Sequence, residues 1–320
     1  MFELGLALDE PLDATAPRHA EEGHLWAIVL AGGEGRRLAP LIRRFYGDER
    51  PKQYAALIGS HSLLRQTLDR VALLIPRRRT VVVTMASHAK YFERELEGVP
   101  DVHVLAQPSD RGTAAGVLLA ALWVRARDPE ACVGVFPADH FVLDEAAFMA
   151  HVADVADYVR AVPRWLVLLG VPPTAPETDD GWIECGERVG FTPRGLIHRV
   201  HRFRAKPGPD AAHELFARGG LWSTLVFVAG VATVVDAGRR SVPCVYDPLA
   251  DARWTLDQAY LRAPAADFSR AVLESPTLPL AVSEMSGVPW CDLGSPERVA
   301  DVLRHFGPSR RASGWRGHGR

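Results

Sequence analysis

The sequence predicts an α/β fold, a doubly wound and mostly parallel sheet with a small mixed β lobe. Between residues 25 and 170, short runs that are apolar throughout alternate with longer amphipathic segments. Runs without polar alternation are typical of parallel strands, because helices cover both faces of such a sheet. Strictly alternating strands and helices indicate the doubly wound class. At 320 residues, 48% of them hydrophobic, the chain is long enough for one large domain.

The elements follow in order along the chain. Strands are predicted at 25–31, 80–84, 102–105, 132–136 and 165–170. Helices are predicted near 62–74, 87–97, 112–126 and 145–160. After Gly170, Pro and Gly separate shorter strand candidates at 182–185, 196–204 and 222–229. These predict a mixed lobe over the carboxyl ends of the parallel strands, followed by further helices, the last from about Pro296 to Phe306.

The two ends of the chain predict no core. Residues 1–24 are acidic and lack periodicity, and residues 307–320 are small, polar and basic, so we expect both to be poorly ordered around a domain at 25–306. A net charge of -2 and a pI near 6.6 give no global reason to expect nucleic acid or a membrane as partner. No signal peptide and no run of about 18 apolar residues is present, which predicts a cytoplasmic protein.

Basic residues are used unevenly. Of the 37 lysine and arginine residues only three are lysines, Lys52, Lys90 and Lys206, and the chain has no asparagine. A lysine that persists where arginine is so common is expected to be needed for its shape as well as its charge. Lys90 falls in no motif and is expected to be a solvated helix residue.

A glycine-rich turn follows the first predicted strand. The segment reads WAIVLAGGEGRRLAPL and places Gly32, Gly33 and Gly35 before two arginines. Glycines let backbone N–H groups approach phosphate oxygens, and the start of the next helix adds partial positive charge. The spacing fits neither a Walker loop nor a dinucleotide fingerprint, so mononucleotide binding fits better. A plain tight turn between strand and helix remains the alternative.

Two aspartates stand directly after apolar stretches. Asp139 follows the strand in CVGVFPADH, and Asp292 follows VPWC. Side chains at the carboxyl edge of such a sheet face its ligand-binding side. Each aspartate taken alone could equally be a solvated turn residue. The neighbouring His140 could act as a base or have a structural role, and the sequence favours the structural role.

A family resemblance is carried by six motifs in order. They read LAGGEGRRL followed by RPKQY, then QPSDRGTAAG, FPADH, GVPPTAPETDDGWIE, FRAKP and VPWCDLGS. Together they resemble the sugar-1-phosphate nucleotidyltransferases, specifically the mannose-1-phosphate guanylyltransferases. The resemblance implies a Rossmann-like fold of the nucleotide-diphospho-sugar transferase type. It also implies the formation of GDP-mannose and pyrophosphate from GTP and mannose 1-phosphate with Mg²⁺.

The same resemblance assigns residues to roles. Arg37 and Lys52 would neutralise the leaving pyrophosphate, and Asp139 and Asp292 would hold Mg²⁺, with Asp139 counted among the catalytic groups. The predicted nucleotide-binding residues are Leu30, Gly32, Gly33, Gly35, Gln107, Arg111, Gly112 and Thr113. The predicted sugar-phosphate residues are Gly181, Glu184, Lys206, Ser223 and Thr224.

Two departures concern the sugar side. The family usually has Glu-Lys-Pro where this chain has Ala205, Lys206 and Pro207, and Trp-Asn-Ser-Gly where it has Trp222 to Leu225. The alternatives are therefore the same chemistry with another sugar 1-phosphate or nucleotide, or a catalytically silent regulator that binds nucleotide sugars. A homodimer is left open by the sequence.

Overall fold

A computed structural model describes residues 24–276 and 278–306 of the chain. The predictions for residues 1–23 and 307–320 lie outside these ranges. The described residues form a nine-stranded sheet, a second sheet of two short strands, and helices on both faces of the large sheet. Within the described ranges, no helix is long and apolar enough to cross a membrane.

Four parallel strands form one half of the large sheet. They are β1 (Leu25–Leu30), β2 (Thr80–Met85), β3 (His103–Gln107) and β4 (Cys132–Pro137), in the spatial order β3-β2-β1-β4. Three of them are buried almost throughout, as their unbroken apolar runs predict. These predicted strands are confirmed to within two residues at each end.

Helices cover both faces of this half. The helices of the first half are α1 (Ala39–Tyr46), α2 (Leu63–Val71), α3 (Ala89–Leu96), α4 (Gly112–Arg127) and α5 (Glu145–Ala161). Helices α2 and α5 begin with side-chain caps from Ser62 and Asp144, whose oxygens accept hydrogen bonds from the amides of the first turn. Helix α4 packs into the core on one face of the sheet and α5 into the core on the other.

The second half of the sheet is mixed. It adds β6 (Leu166–Val171), β7 (Gly181–Thr192), β8 (Gly195–Ala205), β9 (Leu221–Gly230) and β10 (Leu280–Glu284), in the order β9-β6-β10-β8-β7. Strand β9 runs antiparallel between β4 and β6, and its apolar run Val226–Ala229 is buried. The strands predicted after Gly170 are thus present, and they continue the central sheet. Strand β9 has an apolar run that requires cover on both faces, which accounts for its place inside the sheet.

Strand β7 closes the far edge of the sheet onto β9. Gly181 at its start pairs with Ala205 of β8 on one side and with Ser223 of β9 on the other. The register shifts several times along β7 and β8, and once between β6 and β9, where the chain of β9 bulges. This arrangement brings the ends of three strands together beside the carboxyl ends of the parallel strands.

The remaining helices belong to the second half of the chain. They are α6 (Pro209–Ala217), α7 (Val231–Ser241), α8 (Pro243–Ala250), α9 (Leu256–Arg262) and α10 (Pro296–Phe306), with a π-helical turn at Ser269–Leu273. The two-stranded sheet consists of β5 (Phe141–Val142) and β11 (Trp290–Cys291), paired antiparallel. It was not expected from the sequence, because two-residue strands carry no periodicity.

Candidate active site

A cavity of about 570 Å³ lies at the carboxyl ends of the parallel strands. Most of the predicted site residues line it. They are Leu30, Gly32, Gly33, Arg37, Lys52, Gln107, Gly112, Thr113, Asp139, Gly181, Lys206, Ser223, Thr224 and Asp292. The other three, Gly35, Arg111 and Glu184, are not among the lining residues. One cavity therefore joins the predicted nucleotide and sugar regions.

The glycine-rich turn is held in place by the RPKQY motif. The buried Gln53 donates hydrogen bonds to the carbonyl oxygens of Ala31 at 2.7 Å and Gly33 at 2.8 Å. Gly35 has a φ of 61°, and a Cβ at this position would lie 3.0 Å from the backbone nitrogen of Lys52. Gly35 thus acts from outside the cavity, because it allows Lys52 to approach the turn. The sequence pattern did not assign a role to Gln53.

Lys52 joins the two predicted metal ligands. Its Nζ lies 3.0 Å from Oδ2 of Asp139 and donates to the carbonyl oxygen of Asp292, also at 3.0 Å. Only 12% of the Lys52 side chain is exposed, so its charge is screened less than a surface charge would be. A compact ammonium group with three donors suits a position that serves two acceptors and faces a cavity.

The two aspartates are brought together by the small sheet. Asp139 precedes β5 by two residues and Asp292 follows β11 directly, and the register pairs Phe141 with Cys291. Burial opposes the ionisation of Asp292, but the charge and the hydrogen bond of Arg298, together with the charge of Lys52, outweigh burial and hold the pKa of this carboxyl below its ordinary value. Asp292 is therefore ionised at neutral pH.

His140 is held neutral between these groups. Burial lowers its pKa to about 4, although the charge of Asp139 acts in the opposite direction. The indole N–H of Trp290 donates to Nδ1 of His140 at 3.3 Å. Since an indole can only donate, the ring proton of the neutral histidine is on Nε2, which lies 3.8 Å from Oδ1 of Asp139. This geometry favours the structural role expected from the sequence.

The donor set around Lys52 fits a hard divalent cation. Asp139 and Asp292 present carboxylate oxygens beside the cavity, and no group of three or more His, Cys, Asp or Glu residues that could hold a metal occurs among residues 24–276 and 278–306. Mg²⁺ keeps several waters and requires only one or two carboxylates in addition to phosphate oxygens. The pair is therefore sufficient for Mg²⁺ that completes its coordination with waters or with phosphate oxygens of a nucleotide, and insufficient for an all-protein cage.

The predicted base-binding segment is braced by the chain that precedes the π-helical turn. Gly112 has a φ of 75°, and a Cβ there would lie 2.3 Å from the carbonyl oxygen of Ala266. The amide of Phe268 donates to the hydroxyl of Thr113 at 2.8 Å, and the hydroxyl of Tyr260 donates to Oε1 of Gln107 at 2.9 Å. Tyr260 thus orients the side-chain amide of Gln107 before any nucleobase binds.

Arg111, which the resemblance assigns to nucleotide binding, is hydrogen-bonded to the protein backbone in this structure. Its Nε donates to the carbonyl oxygen of Tyr260 at 2.7 Å, which ties the QPSDRGTA segment to α9. The contact shows Arg111 bracing the wall of the cavity from outside. Tyr260 and the 265–268 segment were missed by sequence reasoning, because they lie in no motif and approach only through folding.

The sugar side, which is the part of the cavity predicted to bind the sugar phosphate, begins with a row of three residues from three strands. Ala205, Gly181 and Ser223 are cross-strand neighbours at the ends of β8, β7 and β9. Lys206 follows this row in a left-handed conformation with a φ of 50°, and its amide donates to the carbonyl oxygen of Asp180 at 3.2 Å. None of the described residues forms an ion pair with the Lys206 ammonium. Glu184 lies further along β7, opposite Arg202, and is not among the residues that line the cavity.

The bulge in β9 contains the altered family motif. The Thr224 hydroxyl is buried, donates to the carbonyl oxygen of Leu169 at 2.7 Å and accepts from the amide of Val226, so it stabilises the bulge. The Ser223 hydroxyl accepts from the amide of Leu225 at 3.2 Å and keeps its proton for another acceptor. Leu225 has a φ of 56°, which suits the glycine usual in the family and costs a leucine about 1–2 kcal/mol.

Two arginines connect the acidic segment before β7 to the rest of the site. Arg37 is paired with Asp179, and both side chains are about half exposed. Arg298 of α10 is paired with Asp180 and with Asp292. Burial raises the pKa of Asp180, and the hydrogen bond from Arg298 offsets this only partly. Arg298 was missed from the sequence, although it stands in the helix directly after the VPWCDLGS motif.

Comparison with known proteins identifies the class. Residues 26–306 match the model of the family described as nucleotidyl transferase. The chain therefore belongs to the nucleotidyl transferase family, as its fold and its cavity indicate. The resemblance based on the six motifs is confirmed at this level.

Two curated relatives are similar to this chain over most of its length. The chain is 32% identical over 293 residues to the xanthan biosynthesis protein XanB of Xanthomonas campestris pv. campestris (strain B100), covering 88% of this chain and 60% of the relative. It is 28% identical over 299 residues to the mannose-1-phosphate guanylyltransferase of Escherichia coli (strain K12), covering 89% of this chain and 61% of that protein. It thus spans about 60% of the length of these curated relatives.

A solved structure agrees with the same assignment. The crystal structure of mannose-1-phosphate geranyltransferase from Thermus thermophilus superposes with a TM-score of 0.74 and 30% sequence identity. The match covers 85% of this chain and 76% of that protein. The doubly wound fold class predicted from the sequence is confirmed by this superposition.

Proposed function

We propose that this protein is a nucleotidyltransferase that makes GDP-mannose and pyrophosphate from GTP and mannose 1-phosphate. The observation that carries the proposal is the position of Lys52, whose Nζ contacts both Asp139 and Asp292 in the same cavity as the glycine turn and Lys206. Cations and carboxylates thus surround a space that is bordered by phosphate-binding backbone on one side and by the sugar row on the other.

The chemistry is a displacement at the α-phosphorus of the nucleotide. An oxygen of the sugar phosphate attacks, the bond from the α-phosphorus to the bridging oxygen breaks, and pyrophosphate leaves. The sugar phosphate is already ionised near neutral pH, so no base is required, in agreement with a neutral His140. Lys206 would hold the attacking phosphate, and the row formed by Gly181, Ala205 and Ser223 would receive the sugar.

Charge neutralisation supplies the rate enhancement. Negative charge grows on the leaving pyrophosphate, and fixed cations at that position lower the barrier more than they tighten substrate binding. Lys52 is already fixed by two oxygens, whereas Arg37 must exchange Asp179 for phosphate. Such an exposed ion pair contributes only about 0–1 kcal/mol, so the exchange costs little.

Mg²⁺ is proposed as the cofactor, held by Asp139 and Asp292. It would supply additional positive charge on the phosphate oxygens of the bound nucleotide. The side chains that present these carboxylates are positioned by the β5–β11 pairing, and Lys52 neutralises part of their mutual repulsion.

A second candidate is the same reaction with another sugar 1-phosphate. It is favoured by Ala205 and Leu225, because the family that this chain resembles usually has glutamate and glycine at these positions. Ala205 also has its amide occupied by the carboxylate of Glu274 at 2.6 Å, so this position offers the sugar little beyond a methyl group.

Pyrophosphate release across a matrix of nucleoside triphosphates and sugar 1-phosphates tests the proposal. We expect the highest kcat/KM for GTP with mannose 1-phosphate, and no release without a divalent cation. A higher kcat/KM with another sugar would replace the first candidate by the second. An absence of release throughout the matrix would contradict both and support a binding protein.

A further inference from the structure

Arg298 contacts residues on both sides of the cavity. Its Nη1 and Nη2 donate to Oδ1 and Oδ2 of Asp180 at 3.2 Å and 2.8 Å, respectively. Nη1 also donates to Oδ1 of Asp292, and Nη2 lies 3.3 Å from Oε2 of Glu177. The planar guanidinium thus joins the turn after β11 to the segment that leads into β7.

One consequence concerns which oxygen of Asp292 is available. Oδ1 accepts from Arg298 and also from the amide of Gly294 at 3.0 Å. Oδ2 receives no hydrogen bond from the described residues, and it lies 2.8 Å from the point where a Cβ on Gly294 would stand. That same point is 3.3 Å from Nη2 of Arg37, which lines the cavity. Arg298 thus holds Asp292 so that Oδ2 is the oxygen available to a cation.

The other consequence concerns the sugar side. The Asp180 side chain is only 5% exposed, and a buried carboxylate requires a paired cation. The carbonyl oxygen of Asp180 accepts from the amide of Lys206, and Gly181 follows it in the sugar row. By holding Asp180, Arg298 therefore determines where the first residue of β7 and the backbone of Lys206 lie.

We propose that Arg298 is a positioning residue that sets the geometry of the metal carboxylate and of the sugar-phosphate end together. The inference rests on the proposed function, since it assigns a sugar phosphate to Lys206 and a divalent cation to Asp292. A lysine at this position would keep the charge but lacks the planar fork that contacts both carboxylates at once. The substitution Arg298→Lys thus separates geometry from charge.

The test compares Arg298→Lys with wild type and with Arg304→Lys as a matched control. Arg304 lies on the same helix and forms an exposed ion pair with Asp301, and neither residue lines the cavity. We expect Arg298→Lys to raise the KM for the sugar 1-phosphate about tenfold and to weaken Mn²⁺ binding by substrate-free enzyme about tenfold, the scale typical of groups that orient a metal ligand. Mn²⁺ binding is measured by electron paramagnetic resonance.

Arg298→Ala decides between orientation and charge. On charge alone, removal of a cation beside Asp292 would tighten Mn²⁺ binding, whereas loss of orientation weakens it. Tighter Mn²⁺ binding in this variant would overturn the proposal. So would an Arg298→Lys variant with wild-type Mn²⁺ affinity and sugar KM, whatever its melting temperature, since a purely structural role changes stability alone. If the wild type releases no pyrophosphate, the proposed function fails, and the Mn²⁺ measurement still decides the role of Arg298 because it requires no turnover.

Discussion

The nucleotide side and the sugar side of the cavity are built by different means. The nucleotide side consists of a turn after β1 and residues after β4, all at the ends of strands that are buried in a regular parallel sheet. The sugar side consists of three strand ends with shifted register, a bulge, two residues in left-handed conformation and a set of ion pairs. The strands and the turn of the first are encoded in local sequence, whereas the register, bulge and ion pairs of the second depend on contacts between segments that are distant in the chain.

The largest expected effect is on the two carboxylates that lie between these sides. We expect Asp139→Ala and Asp292→Ala each to reduce kcat by at least about a thousandfold, because the charge stabilisation of the phosphates is lost. Steady-state pyrophosphate release measures the change. Asp251→Ala is the control, since that aspartate pairs only with the exposed Arg253 among the described residues. Full turnover in both site variants would contradict the metal assignment.

The next effect separates the two cations of the nucleotide side. We expect Lys52→Ala to lower kcat about a hundredfold or more, and Arg37→Ala to have a smaller effect, since Arg37 is about half exposed and its charge is more screened. Arg36→Ala is the matched control, because Arg36 pairs with the exposed Glu34. Lys52→Arg should fail to restore activity, because a larger planar guanidinium would replace a compact ammonium group that already contacts Asp139 and the carbonyl oxygen of Asp292. Wild-type kcat in Lys52→Arg would refute the shape argument.

A smaller effect is expected in sugar selection. A site that hydrogen-bonds a substrate hydroxyl with a buried group can reject analogues by about 10⁴ or more, whereas shape alone gives about a hundredfold or less. With Ala205 and Leu225 in place, we expect the kcat/KM values for mannose 1-phosphate and glucose 1-phosphate with GTP to differ by less than about a hundredfold. A ratio above about ten-thousandfold would show that other groups, such as the Ser223 hydroxyl, select the sugar.

The smallest effect concerns stability and tests a buried contact between α5 and β10. Burial lowers the pKa of His151, whose ring is hydrogen-bonded to the buried Ser283 at 2.8 Å. Below the ordinary histidine pKa of about 6.5, this histidine binds a proton in the unfolded chain but stays neutral in the folded protein. The free energy of unfolding therefore falls as the pH decreases. Urea unfolding between pH 7 and pH 5 should show a weaker pH dependence for His151→Gln than for wild type. Identical slopes would contradict this origin.

The difference between the nucleotide side and the sugar side also explains which features could be predicted from the sequence. The parallel strands and the glycine turn were predicted because their residues are adjacent in the chain, and Lys52 and Asp139 followed from motifs. Arg298 could not be predicted, because its partners Asp180 and Asp292 meet it only through folding. Glu184 was assigned from its neighbours in a motif, and the structure pairs it with Arg202 of β8 and does not include it among the residues that line the cavity. Patterns of residue type predict strands well, and they contain little information on bulges or register shifts.

The pairing of the two-residue strands β5 and β11 determines how late in synthesis the two predicted metal ligands can come together. Lys52 bonds to the carbonyl oxygen of Asp292 across 240 residues of chain, and Trp290 bonds to His140 across 150. Contacts of such long range form late, since the closure of large loops costs entropy before any contact is gained. In a chain still emerging from the ribosome, the glycine turn and α2 have been synthesised while Asp292 has not. Asp139 and Asp292 can therefore be brought together only after almost the whole domain has been synthesised.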